Sequence, residues 1–259
     1  MGKNGIPKFD LGGRVAVVTG AGGGMGRASA IALAGHGAQV AVLDINEDGA
    51  AATVAEIGDN AMAYRCDVSD LAEVEAVMSR VRKDFGPVVI AHNNAAVNMG
   101  YGAGDQRADD LSIDAWRKTL AINLDGVFHV TRVALKDMLA EGRGSIINSA
   151  SIAGPFIGSH NTAYTAAKGG VVGFTRALVV SYAGTGIRAN AICPGFFLTP
   201  MADRMLQNPR DVERYASQIP VGRHGEPEDI GGLVVFLASD ASSYVNGAVI
   251  SIDGGTSLR

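Results

Sequence analysis

Tyr164-Thr165-Ala166-Ala167-Lys168 places a phenol and an ammonium four residues apart, a spacing that puts both on one helix face. Such a pair can exchange a proton with the oxygen of a bound molecule. A phenol titrates at about 10 and is a poor base at neutral pH. Lowering that value by about three units takes about 4 kcal/mol of differential stabilisation, and a nearby desolvated lysine is one source of it. Alone, the spacing is common by chance, and a surface pair without chemistry is the plainer reading. Its neighbours decide.

Thr19-Gly20-Ala21-Gly22-Gly23-Gly24-Met25-Gly26 follows an apolar run and opens a helical pattern. Glycines permit a tight turn and a close backbone approach to phosphate, and a helix N-terminus adds unpaired N–H groups and partial positive charge. In that setting the string reads as a dinucleotide turn rather than a structural loop, with Gly20, Gly24, Met25 and Gly26 as candidate contacts. Asp44 ends the next apolar run, where a carboxylate can accept hydrogen bonds from the adenosine ribose. Its charge repels a 2′-phosphate, and neither Gly23 nor Ile45 supplies a cation for one. NAD is expected over NADP. The structural alternative is that Asp44 caps the following helix.

The elements that must position these residues follow from periodicity. Short runs rich in Val and Ile, without polar alternation, predict strands buried on both faces: Val15–Thr19, Gln39–Leu43, Ala61–Asp67, Val88–His92, Gly144–Ser149, Ile187–Cys193 and Ala248–Ile252. Amphipathic stretches between them predict helices over Gly26–Gly35, Glu47–Ile57, Leu71–Phe85, Ile113–Leu139, Thr162–Ala183 and Pro227–Ala238. The alternation implies an α/β, Rossmann-type, doubly wound parallel seven-stranded sheet with helices on both faces. With no linker or composition shift, residues 1–259 read as one domain.

Together these segments resemble the short-chain dehydrogenase/reductase family, in its single-domain branch, over nearly the whole chain. Asn93-Asn94-Ala95-Ala96 stands where the family has Asn-Asn-Ala-Gly, an extra methyl near the cofactor. Ser151, thirteen residues before Tyr164, matches the family's catalytic serine better than Ser149 does. Asn123 matches the helix asparagine of its catalytic tetrad, which would position a water linking Lys168 to solvent. Its alternative is a bond to neighbouring backbone. Pro194-Gly195, Phe197 and Thr199 match the nicotinamide loop, and Asp67-Val68 the adenine contacts. The resemblance implies that Asn123, Ser151, Tyr164 and Lys168 are catalytic. Asn94, Tyr164 and Lys168 would also touch NAD, and hydride would pass between NAD and a secondary alcohol or ketone. The positive charge of the oxidised nicotinamide would help to lower the Tyr164 pKa. Two alternatives stay open: a 3-oxoacyl-carrier-protein reductase using NADPH, whose carrier-gripping arginines are here Gly142 and Thr185, and a non-catalytic dinucleotide-binding regulator.

The residues after the later strands are mostly apolar: Met99, Tyr101, Ile152, Pro155, Phe156, Ile157, Phe196, Phe197, Met201 and Met205. They point to a hydrophobic or cyclic substrate, with 201–222 as a possible lid. The formal net charge of −4 and the absence of a basic run argue against nucleic acid. No apolar stretch suits a membrane span, and two cysteines make no disulfide framework, so a reducing cytoplasm is expected. The five histidines lack ligand spacing, and no metal is expected. Helices apolar around most of their circumference, at Leu120–Val133 and Val171–Tyr182, suggest a subunit interface, with a homotetramer favoured by the resemblance.

Overall fold

The computed structural model describes residues 9–98, 107–202 and 209–259. Met99, Tyr101, Met205 and part of the 201–222 segment lie outside them. One seven-stranded sheet runs in the order β3-β2-β1-β4-β5-β6-β7, with every neighbouring pair parallel. The strands are β1 (Val15–Thr19), β2 (Gln39–Asp44), β3 (Ala61–Arg65), β4 (Val88–Asn93), β5 (Gly144–Ser149), β6 (Ile187–Pro194) and β7 (Val249–Ile252). The helices are α1 (Gly24–Gly35), α2 (Glu47–Ile57), α3 (Leu71–Phe85), α4 (Ile113–Leu120), α5 (Gly126–Ala140), α6 (Thr162–Ser181), α7 (Pro209–Ala216) and α8 (Gly231–Ala238).

Strand periodicity explains the layers. Ala16 and Val18 of β1 join one core with α1, α2 and α8, while Val15 and Val17 join another with α3, α5 and α6. Both faces of the inner strands are thus apolar and covered, which is why they show no polar alternation. The edge strands β3 and β7, expected to be buried on both faces, instead keep exposed or half-buried residues because each has a neighbour on one side only. Strand order reverses direction between β1 and β4, and this opens a crevice at their carboxyl ends.

Several strand and helix ends differ from expectation by a residue or two, and some differences are larger in consequence. α1 begins at Gly24, two residues early, because Gly23 is already extended at φ −171°. β3 stops at Arg65, leaving Asp67 in the following turn. The long helix expected over Ile113–Leu139 is interrupted by a π-helical turn at Ala121–Asp125, which contains Asn123. The last predicted helix starts as a 3-10 turn, Pro227–Ile230.

Candidate active site

The glycine turn is a backbone cradle with no spare room. Gly20 adopts φ +62°, and a methyl there would come within 2.8 Å of the Ala95 Cα. A methyl on Gly26 would collide with the Gly20 carbonyl oxygen. Thr19 ties this turn to the segment after β4: its Oγ1 accepts from the N–H groups of Asn94 and Ala95, both at 3.0 Å. Asn94 Nδ2 donates back to the Thr19 and Gly20 carbonyls at 3.1 and 3.2 Å. Thr19, invisible as anything but a motif letter, is the residue that locks Asn94 in place.

Helices α2, α3 and α4 are capped by the side chains of Asn46, Asp70 and Ser112. α1 has no side-chain cap and no acid in its first turn. Its leading N–H groups are therefore presented where a phosphate would neutralise them. The loop after β6 covers the same place, since a methyl on Gly24 would lie 3.2 Å from Thr199 Cγ2. These donors fit a dinucleotide pyrophosphate.

Asp44 does not cap α2; Asn46 does, accepting from Gly49 N at 3.2 Å. Instead Asp44 Oδ2 accepts from Gly22 N and its Oδ1 from Asn46 N, both at 2.8 Å. Its carboxylate therefore sits inside the cradle. Arg65, its register partner on β3, is committed to Glu73 at 2.5 Å and Glu47 at 3.8 Å. Asp67 is turned toward Ser69, whose hydroxyl donates to it at 2.6 Å and holds its carboxyl below the usual range. Val68 is buried, and a methyl on Gly126 would lie 2.7 Å from Val68 Cγ2.

The other half of the crevice is built from side chains. Ser151 and Tyr164 share a hydrogen bond, which favours the phenolate. Lys168 is 1% exposed and donates to the Ser149 carbonyl at 2.7 Å, with Nζ 5.6 Å from the centre of the Tyr164 ring. Burial dominates the electrostatics: it pushes the Tyr164 phenol up and the Lys168 ammonium down to about 8. The lowering expected at Tyr164 is thus not supplied by the chain alone. Lys168 points at a carbonyl, and desolvation outweighs the Ser151 hydrogen bond.

Asn123 is fully buried, and its amide is spent on backbone: Oδ1 accepts from Val97 N and Nδ2 donates to Val97 O, both at 2.8 Å. It fixes the segment after β4. The carboxyl end of β6 is drawn to the site by Ile152 N donating to Pro194 O at 3.1 Å, while Gly195 N donates to Ile252 O at 3.0 Å. Phe197 is buried against Gly225, where a methyl would lie 2.8 Å from its ring. Phe196 instead stacks on Tyr215 of α7 with centroids 6.1 Å apart, which ties part of the expected lid to the sheet.

Sequence reasoning missed a buried polar layer below the site. His92 Nε2 lies 3.0 Å from Ser149 Oγ, and Asn93 Nδ2 donates to Asn148 Oδ1 at 2.8 Å. Polar residues inside otherwise apolar strand runs were the available signal. Cavities of about 240 Å³ and about 250 Å³ lie beside Phe196 and His224 and beside Trp116 and Thr162; neither is lined by Ser151, Tyr164 or Lys168. Among the described residues there is no group of acidic, histidine or cysteine side chains fit to hold a metal, and no helix is long and apolar enough to cross a membrane.

A parallel sheet with this strand order, a glycine cradle at its switch point and a Ser-Tyr-Lys cluster beside it define a nicotinamide-dinucleotide oxidoreductase. Residues 20–257 match the family model described as enoyl-(acyl carrier protein) reductase. The chain is 41% identical to D-threitol dehydrogenase of Mycolicibacterium smegmatis over 97% of its length and 95% of that protein's. It is 40% identical to cis-4-hydroxycyclohexanecarboxylate dehydrogenase of Sinomonas cyclohexanicum, covering 93% and 96% of the two chains. The structure of a gluconate 5-dehydrogenase from Burkholderia cenocepacia, in complex with NADP and tartrate, superposes with a TM-score of 0.89 at 32% identity, over 98% of each chain. The chain belongs to the short-chain dehydrogenase/reductase family.

Proposed function

We propose that this chain moves hydride between NAD(H) and the carbinol carbon of a secondary alcohol or its ketone, with Tyr164 exchanging the hydroxyl proton. The observation that carries this is the convergence of Ser151, Tyr164 and Lys168 after β5, two strands along the same sheet from the glycine cradle after β1. The dinucleotide, when bound, accepts or supplies the hydride. In oxidation, the substrate hydroxyl lies against Ser151 and Tyr164. Ser151 donates to the oxygen as negative charge builds, and Tyr164 takes the proton. In reduction Tyr164 returns it. Lys168, with Nζ 5.6 Å from the centre of the Tyr164 ring, would hold the nicotinamide ribose and keep an ammonium on that side of the site.

Gly20, Gly24, Met25, Gly26, Asp44, Asp67, Val68, Asn94, Tyr164, Lys168, Pro194, Gly195, Phe197 and Thr199 would hold the dinucleotide. The structural relative with NADP leaves the choice of coenzyme to local chemistry. Asp44, facing into the cradle while Arg65 beside it is committed to Glu73 and Glu47, favours NAD. Asn123 holds Val97, a positioning role. The half-buried Pro155 and Ile157, with the more exposed Phe156 and Met201, suit a hydrophobic or cyclic substrate.

Two broader proposals follow. Most of the apolar α5 and α6 residues prove to be buried in a thick local core, yet Phe128 is 44% and Val180 80% exposed. That remainder favours a homo-oligomer, with a tetramer as the working model. Both cysteines are buried and unbridged, in keeping with a cytoplasmic setting. The test of function is reduced-nicotinamide absorbance with NAD or NADP across cyclic, aromatic and aliphatic secondary alcohols. NAD-dependent turnover is expected. A clear NADP preference would revive the acyl-carrier reading, and tight binding without turnover on any alcohol would favour a regulator.

A further inference from the structure

Asn161 is the N-cap of α6, a position where asparagine normally accepts a hydrogen bond from the helix's own backbone. Here it does not. Its Nδ2 donates instead to Oδ1 of Asn98, in the segment after β4. The bridge is pinned from both sides. Asn98 follows Val97, whose N–H and carbonyl are both gripped by Asn123, and Asn161 begins the helix that carries Tyr164 and Lys168. Asn161 stands three residues before Tyr164, a spacing that places side chains about 5–6 Å apart on one helix face. It is half-buried, and beyond the bridge its amide retains an acceptor oxygen and a second N–H. A polar group is thus anchored at the start of the helix that carries Tyr164, about one turn before the phenol.

We infer that Asn161, held in place by Asn98, hydrogen-bonds a second oxygen of the substrate, so that the preferred substrates are diols or hydroxyketones rather than simple alcohols. This rests on the alcohol-oxidoreductase reading above. An oxygen on a carbon adjacent or next-but-one to the carbinol spans the gap from Tyr164 to Asn161. A neutral hydrogen bond of this kind contributes about tenfold in discrimination. Asn161 is then a specificity-determining residue, and Asn98 a positioning residue acting through it.

The test compares cyclohexanol with cis-cyclohexane-1,2-diol, which share a ring and differ by one hydroxyl. Wild type, Asn161→Ala and Asn98→Ala are assayed with NAD and with NADP. Wild type is expected to favour the diol. Both variants should lose about tenfold in kcat/KM on the diol, mainly through KM, and stay within about twofold of wild type on cyclohexanol. Cyclohexanol turnover doubles as the control for folding. Equal losses on both alcohols would make the bridge purely structural and overturn the inference. So would unchanged diol kinetics, or a wild type that oxidises cyclohexanol but not the diol. Failure of the wild type on both alcohols with both coenzymes would instead sink the parent reading.

Discussion

The two halves of the crevice are made differently. On the β1–β4 side the site is backbone: the turn at Gly20–Gly26, the bare N-terminus of α1 and the Thr19–Asn94 lock leave no volume for a methyl at Gly20 or Gly26. On the β5–α6 side it is functional groups, with Ser151, Tyr164 and the fully buried Lys168 set above the His92–Ser149 pair. The first half is sensitive to shape and the second to chemistry. A substitution that keeps volume but deletes a hydroxyl should therefore spare the first and silence the second. One that adds a methyl should do the reverse.

The largest effect is expected at Tyr164→Phe, which removes the proton carrier while keeping the ring. Turnover should fall on the order of a thousandfold, with melting temperature near wild type and dinucleotide binding weakened by no more than about tenfold. Retention of a tenth of the activity would remove Tyr164 from the mechanism. Gly26→Ala should act in the opposite way, costing about 1–3 kcal/mol in denaturant unfolding and weakening dinucleotide binding. Gly23→Ala is its control: the backbone there is extended and the nearest atom to an added methyl is 3.9 Å away, so a loss within about 0.5 kcal/mol is expected. If both variants behave alike, the cradle is not the tight element described.

Asp44→Ala sharpens the comparison from the cradle side. It removes the carboxylate that accepts from Gly22 and Asn46, and the ratio of kcat/KM for NAD over NADP should fall about tenfold. An unchanged ratio would place coenzyme choice elsewhere. A further effect is thermodynamic and belongs to the catalytic side. Burial drives His92 from 6.5 down to about 3, so the unfolded chain binds its proton first as pH falls. Stability present above 6.5 should be lost toward about 3, with His92 contributing at most about 1.4 kcal/mol per pH unit. His92→Gln should flatten that dependence in equilibrium unfolding, and an identical slope would contradict the assignment.

The difference between the halves also explains what was legible in the sequence. Glycine strings and apolar periodicity are local signals, so the seven strands, their parallel sheet and the glycine turn could be read directly. The pairings that set the electrostatics are not local. Lys168 turns to the Ser149 carbonyl and Asn123 to Val97 because the sheet brings distant segments together. The upward shift of Tyr164 likewise depends on burial that no spacing encodes. Resemblance named the residues; only packing gave their partners.

Direct transfer is the central claim, and a secondary alcohol carrying deuterium on its carbinol carbon tests it in one step. The alcohol is oxidised with unlabelled NAD and the reduced coenzyme is recovered for mass spectrometry. The account predicts that the deuterium is found on the reduced nicotinamide, in one-to-one proportion with the ketone formed. Deuterium in the solvent, with unlabelled reduced coenzyme, would contradict it.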